Sequence, residues 1–251
     1  MTTTTSFSPL RTTAAAALVL GASLLAGCAT GPQANPADPF EGYNRGMTRF
    51  NDDLDKAVMK PVATAYKDAV PGLARQGVTN VFANLTDAWS FVNNLLQLRL
   101  EGAFNSAVRF SVNTVLGFGG VFDIASEAGI ERHKQDFGLT MARWGVPSGP
   151  YLVLPLLGPS TVRDTAGFVV DTQGGLVGEV HDVPVRNSLY VLRAVNQRAN
   201  LLGVTSFLDQ AALDKYSFTR DAYLQLRAQQ AGQPLPLNDE GGDAGRLPRE
   251  D

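Results

Sequence analysis

One stretch of this sequence, residues 85–100, constrains the fold more than any other. Its apolar side chains would cover well over half the circumference of a helix instead of forming one stripe. They are Leu85, Trp89, Phe91, Val92, Leu95, Leu96, Leu98 and Leu100. A helix that is apolar nearly all round is either buried or lies in lipid. The sequence therefore predicts a helical fold that encloses this segment or presents it to acyl chains.

The N-terminal part of the chain has the order of features found in secretory signals. Arg11 supplies a positive charge, and residues 12–26 form an apolar run that is shorter than the about 20 residues a bilayer-spanning helix needs. The run ends in Leu25-Ala26-Gly27-Cys28, which resembles the lipobox of bacterial lipoproteins. We therefore predict a signal peptide over residues 1–27, cleavage between Gly27 and Cys28, and acylation of Cys28. The alternative is a plain signal peptide with a cysteine near its cleavage site by chance.

The cysteine content and the ends of the chain set the predicted boundaries. Cys28 is the only cysteine, so the fold has no intrachain disulfide. Ala29 follows it, as in lipoproteins sent on to the outer membrane. We predict a tether over residues 28–37, one helical domain over 38–228, and a disordered tail over 229–251, which has almost nothing to bury. A formal net charge of −3 argues against nucleic acid as a partner.

Helical periodicity covers most of the predicted domain, which we therefore assign to the all-α class. An apolar stripe runs through residues 43–58, is interrupted at Lys60-Pro61, and is followed by a second helical piece over residues 62–70. Further helices are predicted over residues 103–116, over 160–170 with Ser160 as N-cap, from about 183 onward, and over 209–228. Arg186, Arg193 and Gln197 share one face of the long helix after residue 183. That face is either solvated or in contact with lipid phosphates.

The segment from Gly149 to Pro159 is the least regular part of the sequence. It is apolar, it is bracketed by two Gly-Pro steps, and Pro155 interrupts it. Proline suits neither a central strand nor a helix interior. We predict an irregular apolar Gly/Pro loop, which is either a buried extended loop or edge strand, or a loop whose side chains meet acyl chains or an integral-membrane partner.

Motifs for catalysis are missing from the sequence. It contains neither a phosphate-binding P-loop nor a G-x-S-x-G nucleophile elbow. The two histidines, His133 and His181, are far apart, so a metal site would depend on carboxylates. We therefore predict no enzyme activity, no metal and no cofactor.

Several separated motifs occur in a specific order along the domain. They are residues 38–45 (DPFEGYNR), 60–63 (KPVA), 91–97 (FVNNLLQ), 109–117 (RFSVNTVLG), 136–140 (DFGLT), 149–151 (GPY), 158–160 (GPS), 198–202 (RANLL) and 220–223 (RDAY). This order resembles that of the MlaA (VacJ) family of outer-membrane phospholipid-transport lipoproteins, from about residue 38 to residue 227. Two positions depart from the family: Thr86 follows Asn84-Leu85 where a proline is common, and Leu98 stands where the family has glycine.

The resemblance implies a helical ring embedded in the inner leaflet of the outer membrane, often beside a trimeric porin. Such a protein takes phospholipid from the outer leaflet and passes it to a soluble periplasmic carrier, from which an inner-membrane ATPase complex receives it. This maintains the lipid asymmetry of the outer membrane. The alternative is a structural or scaffolding envelope lipoprotein that transports no lipid.

Physical chemistry sets what a transport path requires. A phospholipid with two chains exposes about 30 methylenes, so its transfer into water costs on the order of 20 kcal/mol. The path must offer the chains an apolar wall, and our candidates for that wall are Leu85, Trp89, Val92, Leu95, Leu96, Tyr151, Leu154 and Leu156. Four polar residues lie within the family motifs: Asn113, Asp136, Arg163 and Asp164. We expect them to serve as caps or in buried hydrogen bonds, including an Arg163–Asp136 pair, with headgroup contact as the alternative.

Overall fold

A computed structural model describes residues 38–211 and 214–233, without the side chains of residues 206–211. The predicted signal peptide, the lipidated Cys28, the tether and residues 234–251 of the predicted tail lie outside the described residues. The described part is mainly helical, which confirms the all-α class. Its elements are α1 (Glu41–Leu54), a π-helical turn (Asp55–Met59), α2 (Lys60–Ala69), α3 (Gly72–Leu96), α4 (Leu100–Val115), α5 (Ile124–Glu127), α6 (Phe137–Arg143), β1 (Tyr151–Leu154), β2 (Gly158–Thr161), α7 (Val162–Gly174), α8 (Val183–Ala211) and α9 (Lys215–Ala231).

The predicted interruption at Lys60-Pro61 is wrong, because α1 and α2 form one continuous helical run through the π-helical turn. In that turn the Lys60 amide donates to the carbonyl of Asp55, one residue further back than in an α-helix. Pro61 then lies in the first turn of α2, where a residue without an amide hydrogen is tolerated. The wider turn thus accommodates the proline without ending the helix.

The predicted helix over residues 85–100 is wrong at both ends. Helix α3 begins at Gly72 and ends at Leu96, and α4 starts at Leu100. Between them the chain makes a Schellman turn, in which the amides of Leu98 and Arg99 donate to the carbonyls of Leu95 and Asn94, both at 2.9 Å. Leu98 takes the left-handed conformation that this turn requires, with φ of 57°.

The predicted Gly/Pro loop is a β-hairpin, so its assignment as irregular is wrong and the edge-strand alternative is right. β1 and β2 are antiparallel, with Tyr151 opposite Thr161 and Leu154 opposite Gly158. Pro155 lies in the turn, where no ladder hydrogen bond is lost. The outer edge of β1 is covered by α1, since Asn44 donates to the Tyr151 carbonyl at 3.1 Å and accepts from the Val153 amide at 2.8 Å. An amide side chain of α1 thus occupies the place of a neighbouring strand.

Three other predicted boundaries need correction. Thr161, not Ser160, caps α7, because its hydroxyl accepts from the Asp164 amide. The helix predicted over residues 209–228 is divided between the end of α8 and α9, which begins after the cap residue Asp214. Helix α9 continues to Ala231 and ends at Gly232, so the predicted tail boundary at residue 229 is too early. The predicted start of α8 after Asp182 and the end of α4 before Gly117 are confirmed.

The packing contacts follow a closed circuit. The run α1–α2 packs on α8, α8 on α3, α3 on α6, and α6 on α9, while α9 contacts β2 and β1 returns to α1. The main apolar cluster lies at the hairpin, where Tyr151, Val153 and Tyr216 are buried against Met47, Tyr223 and Leu224. Within the described part of the chain, no helix combines the length and the apolar character needed to cross a membrane.

Candidate functional site

Large apolar side chains are exposed along α4 and at both of its ends. We call this region the apolar surface; its members are Leu98, Leu100, Phe104, Val115, Leu116 and Phe118. The exposed fractions reach 84% for Leu98, 80% for Phe118 and 77% for Val115. Removing each of these side chains from water would contribute about 1.5–3 kcal/mol. An apolar surface of this extent on a folded domain is typical of membrane or protein contact.

The interior shows the opposite composition: polar residues outnumber apolar ones among the buried side chains of the described chain. Helix α3 contributes a whole buried polar face, made of Asn84, Asp87, Ser90, Asn93 and Asn94 and continued by Gln97. These positions recur every three or four residues, which places them on one side of the helix. Among the apolar residues of the same helix, Val92, Leu95 and Leu96 are exposed, whereas Phe82 is buried.

The polar face of α3 binds the segment that leads into α6. Ser90 accepts from the Gln135 amide at 3.1 Å and donates to its carbonyl at 3.2 Å. Gln97 donates to Thr140 at 3.0 Å, and Thr140 donates to Asn93 at 2.7 Å. A buried polar group costs free energy unless it is paired, so these bonds make the polar interior stable and fix α6 against α3.

A buried ion cluster connects α3, α4 and α5. Arg109 is 1% exposed and binds Asp87 at 3.3 Å and Asp123 at 2.8 Å. Arg132 binds Asp87 from the other side at 3.0 Å. Asn113 donates to Asp123 at 3.0 Å and accepts from the Ala125 amide at 2.8 Å, so it holds the start of α5.

The two carboxylates of this cluster have different electrostatic environments. Burial raises the pKa of Asp87, and the two arginines offset this only in part. Burial acts in the same direction on Asp123, but the hydrogen bonds from Ser126 and Asn113 and the charge of Arg109 outweigh it, so the pKa of Asp123 is lowered. Asp123 is thus the carboxylate whose ionised form the fold stabilises.

A second ion cluster joins α6, α7 and α9 through Arg227. Its guanidinium binds Asp136 at 2.7 and 2.9 Å and Asp164 at 2.8 and 2.9 Å. Asp136 also caps α6 by accepting from the Leu139 amide. The prediction of an Arg163–Asp136 ion pair is wrong. Arg163 binds its neighbour Asp164 at 3.2 Å, and the ion-pair partner of Asp136 is Arg227.

Glycines allow the close approach of α6 and α7 at this cluster. A Cβ atom on Gly167 would lie 2.5 Å from the Gly138 amide nitrogen, and one on Gly138 would lie 2.7 Å from a carboxylate oxygen of Asp164. Any larger residue at either position would push the two helices apart. The Arg227 bridge therefore depends on these two glycines as well as on the charges.

Comparison with known proteins gives a consistent result. The family model described as "MlaA lipoprotein" matches residues 36–230. The chain belongs to the MlaA lipoprotein family. It is 37% identical over 215 residues to the "Intermembrane phospholipid transport system lipoprotein MlaA" of Escherichia coli (strain K12), covering 83% of this chain and 85% of that protein. The protein of that name in Haemophilus influenzae is 33% identical over 223 residues, covering 82% and 86%.

A solved structure described as "Structural basis for maintenance of bacterial outer membrane lipid asymmetry" has a similar fold. Its TM-score is 0.69 at 35% sequence identity, covering 77% of this chain and 98% of the other. The MlaA resemblance inferred from the separated motifs is thus confirmed by the family, by its members and by the fold.

The candidates for the lipid-facing wall divide into three groups in this MlaA fold. Val92, Leu95, Leu96 and Leu156 are exposed, and Leu85 and Leu154 are half-buried. Trp89 is half-buried, with its indole nitrogen donating to Asp171 at 2.6 Å. Tyr151 is 2% exposed and packs among the tyrosines of α9. Its assignment to a lipid-facing surface is therefore wrong, because alternation along β1 turns it inward.

The buried polar face of α3 and the bridging role of Arg227 were not predicted from the sequence. A signal for the first was present, since the polar residues of α3 recur at helical spacing from Asn84 to Gln97. No local signal connects Arg227 with Asp136 and Asp164, because the three residues belong to separate elements that only the fold brings together.

Proposed function

We propose that this protein is an outer-membrane lipoprotein that removes phospholipid from the outer leaflet and passes it to a soluble periplasmic carrier. The relatives of the MlaA family named for intermembrane phospholipid transport support this assignment, as does the related structure described by outer-membrane lipid asymmetry. In this proposal Cys28 carries the lipid anchor, a porin trimer is the membrane partner, and the protein is not an enzyme.

The observation that carries the proposal is the apolar surface over a polar interior. Leu98, Phe104 and Val115 are exposed, whereas the fold buries Asn93, Asn94 and Arg109. In water this arrangement would lose hydrophobic stabilisation, but in a bilayer the solvent is itself apolar and polar residues face the protein interior. A protein that lies in one leaflet and offers a polar interior satisfies the physical requirement for moving a lipid with two acyl chains and a charged headgroup.

The test is the amount of phospholipid in the outer leaflet, measured by its reaction with a membrane-impermeant amine reagent. A strain lacking the gene is complemented with the wild type, with Cys28→Ala, or with Phe104→Glu. A charge in hydrocarbon costs about 2.5–3.5 kcal/mol, so we expect Phe104→Glu and Cys28→Ala to leave phospholipid on the surface while the wild type clears it. Gln225→Glu is the matched control, because Gln225 is an exposed polar residue of α9.

Two results would contradict the proposal. If deletion leaves surface phospholipid unchanged but weakens the envelope, the protein is a scaffolding lipoprotein without lipid transport. If Phe104→Glu clears phospholipid as well as the wild type at equal protein levels, the apolar surface does not face lipid and another surface must be sought.

A further inference from the structure

A small cationic cleft lies on the side of α3 where α8 crosses it. We call it the α3–α8 cleft; its volume is about 200 Å³. Thr79 and Phe82 of α3 line it on one side, Arg193 and Asn196 of α8 on the other, and Arg132 and Lys134 close it from the segment before α6. No carboxylate lines the cleft; of its three cations, Arg132 is paired with Asp87 and Asp123 outside the lining.

Arg193 is a cation of the cleft that lacks an ion-pair partner in the described part of the chain. Burial lowers the pKa of its guanidinium, and no ion pair joins it to any residue in the described part of the chain. Its guanidinium carbon lies 6.0 Å from the centre of the Phe82 ring, at the outer range of a cation–π contact, which does not neutralise the charge as a carboxylate would. Arg109 and Arg227, by contrast, each bind two aspartates. Arg193 is half-buried, and a partly desolvated charge without an acidic partner is stabilised by an anion that a ligand supplies.

The base of the cleft is a fixed set of hydrogen bonds. Asn196 and Asn200 both donate to the Thr79 hydroxyl, at 2.8 and 3.1 Å. Asn196 in turn accepts from the Tyr66 hydroxyl at 3.1 Å, which ties α2, α3 and α8 together at this point. Arg132 is held by its ion pair with Asp87 at 3.0 Å. Arg132 also binds Asp123 at 3.4 Å, so the fold fixes the position of this cation at the cleft.

We propose that the α3–α8 cleft binds the phosphate of a phospholipid headgroup, with Arg193 as the residue that binds it directly and with Arg132 and Lys134 beside it. The proposal rests on the function proposed above and names a binding site for it. Arginine presents a planar set of donors that suits phosphate. The volume fits a headgroup and not a whole lipid, since pockets that bury a drug-sized ligand measure about 300–1,000 Å³. The acyl chains would then remain outside, beyond Phe82 and Ala83.

The test compares two lipids with the same acyl chains, dioleoylphosphatidylglycerol and dioleoylglycerol, in mixed micelles with the detergent-extracted full-length protein. We expect the wild type to bind the phospholipid at least about tenfold more tightly, since a hydrogen bond to a charged group contributes about 1.5–3 kcal/mol. Arg193→Gln should lose most of this preference and leave dioleoylglycerol binding unchanged, and Arg193→Lys should retain part of it. Arg49→Gln, at an exposed position of α1, is the control and should change neither.

Thermal melting separates a binding role from a structural one. Because Arg193 is half-buried and has no ion-pair partner in the described part of the chain, removing its charge should leave the Tm of Arg193→Gln equal to that of the wild type or raise it. The proposal is refuted if this variant melts lower and loses both lipids equally, or if it binds phosphatidylglycerol as the wild type does. It is also refuted if inorganic phosphate alone binds as tightly as the phospholipid, because the site would then be one for free phosphate. A wild type that binds neither lipid would refute the proposed function as well, whereas equal binding of both lipids refutes only this site.

Discussion

Arg227→Gln is the substitution that best tests how the polar interior stabilises the fold. Arg227 binds Asp136 and Asp164 with four hydrogen bonds between 2.7 and 2.9 Å. Both partners lie on other elements, so the change leaves two carboxylates facing each other across the α6–α7 contact. Asp164 suffers most, because its side chain is only 6% exposed.

The magnitude follows from the burial of the pair. Removing one partner of a buried ion pair costs about 3–5 kcal/mol. Asp164 keeps the Tyr223 hydroxyl at 2.9 Å and Arg163 at 3.2 Å, so we expect the lower end, about 3 kcal/mol. For a domain of this size, that loss lowers the Tm by roughly 6–12 °C.

The pH dependence gives a second, independent test of the same variant. Burial alone would raise the pKa of Asp164, but the hydrogen bonds and charge of Arg227 outweigh burial and hold it below the ordinary carboxyl value. The stability that Asp164 contributes is therefore complete above the unfolded-state pKa of about 3.9 and is lost as pH falls through the folded-state pKa. In Arg227→Gln that contribution is already absent, so the deficit should be largest near pH 7 and shrink below about pH 4.

The assay is thermal and urea unfolding of the detergent-extracted protein, followed by circular dichroism at both pH values. Arg143→Gln is the matched control, since Arg143 is exposed at the end of α6, and it should melt as the wild type does. Arg227→Lys keeps the charge but cannot bind both carboxylates bidentately, so it should fall between the two. An unchanged Tm for Arg227→Gln, or the same deficit at both pH values, would refute the reasoning.

Three further substitutions are predicted from local geometry, and thermal melting checks each. Gly102→Ala should destabilise the protein by about 1–3 kcal/mol, because its Cβ would lie 2.5 Å from the buried Asn94 amide oxygen. Gly46→Ala is the control, since a Cβ there would meet no atom within 4 Å, and it should be neutral or stabilising by up to about 1 kcal/mol. Equal effects of the two changes would contradict the close contact at Gly102. Asn44→Ala should cost about 2–3 kcal/mol, since it leaves the edge of β1 unpaired. Leu98→Gly should raise the Tm, because Leu98 has φ of 57° and a left-handed non-glycine residue costs about 1–2 kcal/mol. The same change removes an exposed side chain of the apolar surface, so the binding of the protein to phospholipid vesicles should weaken.

Where the sequence carried a direct chemical signal, the element could be predicted. Asp182 followed by Pro184 marks the start of a helix, and the Asp182 carboxylate accepts from the Val185 amide at 2.8 Å. The glycines from residue 117 onward end α4 as expected, with Gly119 and Gly120 both at positive φ. Such signals depend only on a few neighbouring residues, so no knowledge of the tertiary fold is needed to interpret them.

The hairpin turn shows why other elements could not be predicted. Leu156 occupies a turn position with φ of 66°, where glycine or asparagine would have marked the turn. The Asn51 side chain holds it there by accepting from the Leu156 amide at 2.8 Å and donating to the Leu154 carbonyl at 2.9 Å. The stabilising partner is more than a hundred residues away in sequence, and local turn rules cannot identify it.

The inverted character of α3 shows a different limit of sequence analysis. The spacing of the apolar residues over 85–100 predicted a helix that is apolar nearly all round, and it does not determine which side points to the core and which to the exterior. The decisive information is in the other face, where Asn93 and Asn94 find buried partners on α6 and on the segment before it. Only the full set of partners shows that the polar side is the inner one.

This inversion changes what holds the helices together. If the apolar surface lies in lipid, apolar side chains gain nothing by turning inward, and helix association must come from close packing and interior hydrogen bonds. The structure has both features, in the close approach at Gly102, Gly138 and Gly167 and in the clusters around Arg109 and Arg227. The usual expectation for substitutions is therefore reversed. Substitutions in the polar interior should lower the stability of the fold. Substitutions on the apolar surface should weaken the binding of the protein to the membrane and leave the fold intact.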